Sequence, residues 1–577
     1  KSQMTMEDEL TRKNFNEQIN ELGLENRLTD KDEQDLEPGL DPFIITEKET
    51  EIAFIKNHKT IPDELKPKLI DFLEKHLGLF TGHQFSDLVY PPEKFTHEVE
   101  LNDPNFKELR CKPYPATGIR LAQLKEAIGE LVEKNILIKS DSNFLSPCFF
   151  VTKKATGTKT ASRGRLCYDY RKINEKIKSL NFPLTHQSNF FETCSNFKYF
   201  CVVDISNAFL SIKLTESAQK LLAITTPFGV FLPTRTPFGL KTSPSAFCFA
   251  LDQIIGHLPF LTFYMDDIVI GANTPEDMMD NLLTVLQILS DNNLKIQLTK
   301  TKFFEKEIKI LGMVFSSLGR KIDPEKIRAI SDFKSIDTLK RLQSFLGMIA
   351  YVANFIPHYA TVCYPLFHCL KNQKAQGFRL TEEAMVAFEK IKKFLKQKTI
   401  LYNVDYTKPL YLATDASQVG MGSFLYQLDF YERTQEGKEK MIKDLGFVTE
   451  NSDSPFLVPG IGPGKKVPVV TTFLKDKNLV KKYDKLNLLE SDLTMVEKVK
   501  LIQEKYIIFV KPVSWYSKTF SINQILRYTS MEKEFLSLAF SLNHYKDMIA
   551  SAPITFVITD SQCVLWALTA RESNLKI

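Results

Sequence analysis

Two sets of acidic residues have the types and spacing to do chemistry. Asp204 closes the apolar run 198–204 (KYFCVVD), and the tandem Asp266-Asp267 divides the apolar run 261–272. The first pattern is that of a buried strand whose last residue emerges at a sheet edge. The second is that of a hairpin with carboxylates at its turn. A single Asp at a strand end is most often a turn or cap residue. A tandem pair between two apolar strands is harder to explain that way, because neighbouring acids raise each other's pKa and weaken a tight turn. If the two strands are neighbours, three carboxylates converge, which is costly unless cations neutralise them. Two divalent ions about 4 Å apart are the usual arrangement for in-line phosphoryl displacement. One lowers the pKa of the attacking hydroxyl and the other stabilises the leaving group. Mg²⁺ suits hard oxygen donors and bound phosphates, with Mn²⁺ as the alternative ion.

The second set is Asp415, Glu534 and Asp560. Asp415 sits in TDAS (414–417) at the end of one expected strand, and Asp560 in TDSQ (559–562) at the end of another. Glu534 lies in MEKEFLSL (531–538), on an expected helix between them. Each acid alone is more often a cap or surface residue. Together they would bind two metals and activate water for phosphodiester hydrolysis.

The elements that must position these acids follow from periodicity. Helical spacing covers 62–80, 119–136, 243–257, 337–356 and 381–398, and Asp323-Pro324-Glu325 opens another helix with an acidic first turn. Strands are expected at 147–151 and 166–170, flanking a Lys/Gly/Thr/Arg loop at 153–165. From about 407 the pattern changes to strands at 409–415, 420–427 and 510–516, a helix at 531–548 and a strand at 554–560. Between the second and third of these strands lie some 80 residues that include the turn-rich PGIGPG (459–464). Gly460–Lys466 does not have phosphate-loop spacing. The basic runs Lys465-Lys466 and Lys481-Lys482 read first as a solvated face.

At 577 residues the chain is long enough for three or four domains. Its composition, 43% hydrophobic and 25% charged, is that of a globular protein. The net charge of +5 is uneven. Residues 1–41 hold twelve acidic and five basic side chains, a net of −7, so the remainder carries +12. The acidic stretch reads as a disordered leader over 1–45. The basic remainder suits a polyanion, because Lys and Arg on phosphates release condensed counterions. The nine Cys form no C-x-x-C pair, and Cys363, His368 and Cys369 lack zinc-finger spacing, so the thiols are expected to be reduced and intracellular. No apolar run has membrane-spanning length and there is no signal peptide, so no membrane partner is expected. The chain begins with Lys and has neither an aspartic-protease D-[ST]-G box nor an integrase region, which reads as a cut product or partial record.

Tyr264-Met265-Asp266-Asp267 resembles the YxDD box of reverse transcriptases, and Asp204-Ile205-Ser206-Asn207-Ala208-Phe209 their D-x-x-x-A-F/Y box. Other boxes follow in the family's order. Residues 165–174 (RLCYDYRKIN) are similar to R-x-C-V-D-Y-R-x-L-N, and 237–244 (PFGLKTSP) to PFGLKNAP. Residues 311–314 (LGMV) resemble the primer grip and 341–347 (RLQSFLG) the thumb. The PFGLK and SFLG variants point to gypsy-type long-terminal-repeat retrotransposons. TDAS with Gly420-Met421-Gly422 resembles the opening of the retroelement ribonuclease H, and Glu534, rather than Glu532, matches its KExLA step.

The resemblance implies an α+β multidomain fold. A right-hand polymerase of fingers, palm and thumb is followed by a connection and an α/β ribonuclease H-like domain. The corresponding boundaries are 46–320 for N-terminal extension, fingers and palm, 321–372 for thumb, 373–406 for connection and 407–577 for the hydrolase domain, with an insertion at 428–509. It also implies roles. Asp204, Asp266 and Asp267 would hold two Mg²⁺ for nucleotidyl transfer, and Asp415, Glu534 and Asp560 two more for hydrolysis. Lys153 (or Lys154) and Arg165 would grip the triphosphate. Phe209 would crowd the 2′ position of the incoming sugar, or else be a core Phe. Phe238, Gly239 and Lys241 would contact the nucleotide, and Leu311, Gly312 and Met313 the primer. The implied partners are an RNA template, a DNA primer, an RNA–DNA hybrid and deoxynucleoside triphosphates. The implied location is the cytoplasm, in a virus-like particle, or the nucleus. The family's fourth hydrolytic acid has no counterpart before Ile577, and Glu572 is not at its position. The alternatives are an inactive nucleic-acid-binding remnant, or a nuclease in which only the C-terminal domain acts.

Overall fold

The computed structural model describes residues 48–76, 90–151, 165–180, 187–195, 197–265, 267–371, 378–396, 400–445, 469–472 and 505–559, with positions 79, 182, 482, 561 and 564. The expected leader, Lys153, Asp266, Asp560 and most of the 428–509 stretch lie outside the described residues, and of Arg165 only the backbone is described. The chain forms two compact units. The first is Lys1–Thr185, Val202–Ile270 and Met279–Lys302; the second is His186–Cys201, Gly271–Met278 and Phe303–Ile577.

In the first unit, β1 (Phe144–Val151) pairs antiparallel with β2 (Arg165–Tyr168), Phe149 opposite Cys167 and Val151 opposite Arg165. These strands enclose a core with Leu124 and Ile128 of helix α1 (Gly118–Glu133), Tyr170, Ile173 and Leu240. The acid-bearing strands are β3 (Tyr199–Asp204), β4 (Leu261–Tyr264) and β5 (Asp267–Ala272), of which Val202–Asp204, all of β4 and Asp267–Ile270 belong to the first unit. Four consecutive residues of β3 are buried, which explains its unbroken apolar run. Helix α2 (Ser243–Ile255) buries Phe247, Ala250, Leu251, Ile254 and Ile255 and starts with Pro244 in its first turn.

In the second unit, β6 (Glu307–Ile310), β7 (Met313–Ser316), β8 (Gly319–Ile322) and β9 (Ile400–Tyr402) form an antiparallel sheet. Helices α3 (Pro324–Ser331), α4 (Leu339–Tyr351), α5 (Tyr359–Lys371) and α6 (Glu382–Leu395) are interspersed; α3, α4 and α6 fall at or just inside expected helices, whereas α5 is not expected from the sequence. Asp323 caps α3 by accepting from Glu325 N at 3.1 Å. Phe345 of α4 packs on Phe388 of α6, with centroids 4.7 Å apart.

The last region is a five-stranded mixed sheet. Its order is β12 (Val469–Thr472), β14 (Thr555–Thr559), β10 (Leu410–Ala416), β11 (Gly420–Glu432) and β13 (Tyr506–Thr519). Strand β10 is antiparallel to β11 and parallel to β14, with helix α8 (Ser530–His544) in the crossover. One face packs Leu410, Leu412, Leu425 and Val557 with Leu538 of α8. The other stacks Phe556, Tyr411, Tyr426, Phe424 and Trp515 at centroid spacings of 4.8–5.4 Å. Aromatic content thus serves a sheet face, where cross-strand ring pairs stabilise well.

Strands β11 and β13 run further than the sequence pattern indicates. They stay paired to Glu432 opposite Tyr506, so five residues at the start of the 428–509 stretch, and four at its end, are ladder. The strand stays covered on both faces here, with Leu428 on one and Asp429 and Tyr431 on the other buried. Helix α7 (Gln435–Leu445) follows, and Met441 and Leu445 pack on Tyr402, Tyr431 and Ile507. Beneath it Asp429 is nearly buried, bonded to Lys408 at 2.6 Å and to Lys511. Burial acts to raise the Asp429 pKa, but the two ammonium groups outweigh it and the carboxyl falls below its ordinary value.

Candidate active site

The β4–β5 hairpin pairs Leu261 with Ile270 and Tyr264 with Asp267. Met265, at its turn, has φ +56°, the left-handed region that an L side chain adopts at a cost and that tight hairpins demand. Strand β5 lies between β4 and β3. Lys198 N, just before β3, donates to Ala272 O, the last residue of β5, at 3.0 Å. The start of β3 therefore meets the end of β5. Run antiparallel, the ladder sets Val203 opposite Asp267 and brings Asp204 one residue beyond it, to the same end of the sheet. Two of the three expected carboxylates thus share one sheet end, each partly exposed.

The backbone beyond Asp204 is held in place. Asp204 O accepts from Gln297 N at 2.9 Å, and Ser206 N donates to Lys295 O at 2.8 Å. The same segment brings Lys300 to 3.9 Å from the Asp204 carboxylate. Among the described residues no group of three or more His, Cys, Asp or Glu is placed to hold a metal ion. Asp266 and Asp560, one from each acidic set, lie outside them. The donors that are placed fit Mg²⁺ in kind: hard carboxylate oxygens reachable from solvent.

Phe209 stands in a short 3-10 turn after β3. Its ring meets Phe238 edge-on at 5.4 Å and the buried Phe247 at 6.1 Å. Phe238 is 38% exposed, so Phe209 lies between core and surface. Gly239 has φ +83°, and a Cβ there would stand 3.2 Å from Tyr168 O. The bend therefore needs glycine. Lys241 turns its ammonium onto Ile177 O, which differs from the expected nucleotide contact. The Ile177 carbonyl, three residues beyond the Arg171–Asn174 turn, takes that cation.

Several contacts at this site are not assigned from the sequence, although most of their residues lie in the boxes at 165–174 and 237–244. Asn174 Nδ2 donates to Gly239 O and its Oδ1 accepts from Lys241 N, both at 2.9 Å. Arg171 forks onto Asp169 at 2.9 and 2.8 Å, and Tyr114 Oη donates to the same carboxylate at 2.6 Å. The Arg171 bonds, aided by Tyr114, hold the Asp169 carboxyl well below the usual carboxylate range. The Asp169–Arg171 pair sits inside the quoted RLCYDYRKIN box. Tyr114 lies outside every box.

In the second unit, Asp415 is exposed opposite Gly422. Glu534 Oε1 accepts from Ala416 N at 3.2 Å, and Ser537 Oγ donates to Asp415 O at 3.1 Å. Helix α8 and the end of β10 are thereby joined. Glu532 instead closes a capping box with Thr529, its carboxylate accepting from Thr529 N at 2.8 Å. Both glycines of GMG face close neighbours. A Cβ on Gly420 would stand 2.8 Å from Lys518 O, and one on Gly422 2.8 Å from His358 Nδ1. Of the expected primer residues, Leu311 and Gly312 are half-buried, whereas the Met313 side chain is buried.

Residues 151–315 match the family described as reverse transcriptase (RNA-dependent DNA polymerase), and 380–436 the ribonuclease H-like domain found in reverse transcriptase. The chain carries a reverse transcriptase domain followed by a ribonuclease H-like domain. It is 30% identical over 354 residues to the retrovirus-related Pol polyprotein from transposon 297 of Drosophila melanogaster, covering 60% of this chain and 33% of that polyprotein. The Pol polyprotein from the gypsy transposon of the same fly is 30% identical over 385 residues, covering 64% and 37%. The transposon Tf2-3 polyprotein of Schizosaccharomyces pombe is 28% identical over 364 residues, covering 63% and 27%. The chain thus spans about a third of the length of these relatives. Among solved structures, the foamy viral protease-reverse transcriptase in complex with dsDNA matches with a TM-score of 0.62 at 19% identity, covering 88% of each chain. The same protein in complex with RNA/DNA hybrid matches at 0.60 and 19%, covering 88% of this chain and 57% of that one. The reverse transcriptase domain agrees with the mixed α+β architecture.

Proposed function

We propose that this reverse transcriptase chain is an active RNA- and DNA-directed DNA polymerase of a gypsy-type retrotransposon, with an attached hydrolase for RNA–DNA hybrids. The observation that carries the reading is the return of Asp204 to within one residue of the level of Asp267 on adjoining strands, at one sheet end. Asp204, Asp266 and Asp267 would hold two Mg²⁺, which when bound would lower the pKa of the primer 3′ hydroxyl and offset charge on the triphosphate. Lys300, 3.9 Å away, balances part of the Asp204 charge. Phe209 and Phe238 would form the wall beside the incoming sugar. The Asn174 bracket would hold the Gly239–Lys241 backbone beneath the nucleotide, and Leu311 and Gly312 would face the primer strand. In the second unit Asp415, Glu534 and Asp560 would direct water at a phosphodiester of the hybrid's RNA strand.

Primer extension tests this. A DNA primer on an RNA template is incubated with Mg²⁺ and deoxynucleotides, comparing wild type with Asp266→Asn. Extension abolished by the substitution supports the polymerase. Binding without extension in either protein points to an inactive remnant. Cleavage of the template without extension points to the hydrolase alone.

A further inference from the structure

The turn joining β6 to β7 is two residues long, Leu311 and Gly312, because Ile310 pairs directly with Met313. Both turn residues have positive φ, +50° and +63°. This is the pattern of the tightest hairpin loops, which favour Asn-Gly because Asn tolerates the left-handed region. Leucine is a poor choice for its position and cannot hydrogen-bond the backbone locally. The conformation must be imposed from outside.

Three contacts from two helices impose it. Tyr351, the last residue of α4, donates its hydroxyl to Leu311 O. Asp323 N, at the cap of α3, donates to Gly312 O at 3.2 Å. Lys326 of α3 carries its ammonium 3.8 Å above the Tyr351 ring, and its side chain fills the space a Cβ on Gly312 would need. Both carbonyls of the turn are therefore fixed, and the tyrosine that fixes one is itself held by the lysine. Lys309 bridges to Asp323 and Glu325 at 3.2 and 3.3 Å and ties the start of α3 to the same hairpin.

We propose that Tyr351 and Lys326 are positioning residues that set the Leu311–Gly312 turn, and through it the sugar–phosphate end of a primer strand, for nucleotide addition. The proposal rests on reading that turn as the primer-binding element. Because Met313 is buried, the contact falls to Leu311 and to the turn backbone. A displacement of about 1 Å at a reacting end lowers rate by up to about a hundredfold, so one hydroxyl on this turn is enough to register in kcat.

Tyr351→Phe removes that hydroxyl and leaves the ring beneath Lys326. Two measurements follow on the full chain: hydrogen–deuterium exchange of the 310–314 amides, and primer extension with separate kcat and KM. Faster exchange at the turn is expected, with an approximately tenfold lower kcat, little change in KM for deoxynucleotide and unchanged binding of primer–template. Leu311→Asn, which suits the left-handed conformation, is expected to restore slow exchange at the turn in the Tyr351→Phe background. Unchanged exchange overturns the clamp. Faster exchange with wild-type kcat overturns its role for the primer. A wild-type chain that extends nothing overturns the polymerase reading itself, while the exchange measurement still reports on the clamp.

Discussion

The side-chain amide of Asn174 closes on both sides of Gly239, donating to its carbonyl and accepting from the amide of Lys241, each at 2.9 Å. Two sequence boxes more than sixty residues apart are thereby joined through one carboxamide. Asn174→Ala is expected to cost about 1 kcal/mol of stability and to raise KM for deoxynucleotide several-fold. Asn174→Asp keeps the acceptor for Lys241 and loses the donor, so it should fall between. Thermal melts and steady-state extension would check this; an unchanged KM in Asn174→Ala would detach the bracket from the nucleotide site.

Phe209 touches one buried ring, Phe247, and one exposed ring, Phe238. In the proposed function its ring would exclude a 2′ hydroxyl by bulk rather than by hydrogen bonding. Phe209→Val should lower discrimination against ribonucleotides by on the order of a hundredfold, the scale set by a few methylene equivalents in a pocket. Competition between labelled ribo- and deoxynucleotides measures it. Equal discrimination in the two proteins would return Phe209 to a packing role.

Asp169 is held ionised by Arg171 and Tyr114, so its folded pKa lies below its unfolded value of about 3.9. A depressed carboxylate contributes stability that is fully present above the unfolded pKa and is lost as pH falls through the folded one. The wild-type Tm should therefore fall more steeply below about pH 4 than that of Asp169→Asn. Added salt should narrow the difference, since Arg171 is 69% exposed. Parallel Tm curves would show that the fork contributes nothing.

Gly422 lies opposite Asp415, and the His358 ring occupies the place of its missing side chain. Gly422→Ala should cost about 1–3 kcal/mol through overpacking. His358→Ala in the same chain should recover most of the loss, as contacting residues do not add independently. Denaturant melts of the four proteins decide it. Additive losses would mean that the ring and the glycine do not meet.

The amino-acid sequence by itself determined which stretches become strands and helices around the acids. Asp204, Asp267 and Asp415 lie at strand ends, and Glu534 on a helix, because burial imposes a period of two or 3.6 on neighbouring residues. The tertiary structure decided which of those ends meet, and what the intervening side chains do there. Lys241 caps Ile177, Glu534 reaches Ala416, and Tyr351 holds a turn forty residues away. None of these pairings has a period. Each depends on how packed elements bring distant donors to the acceptors that burial would otherwise leave unsatisfied.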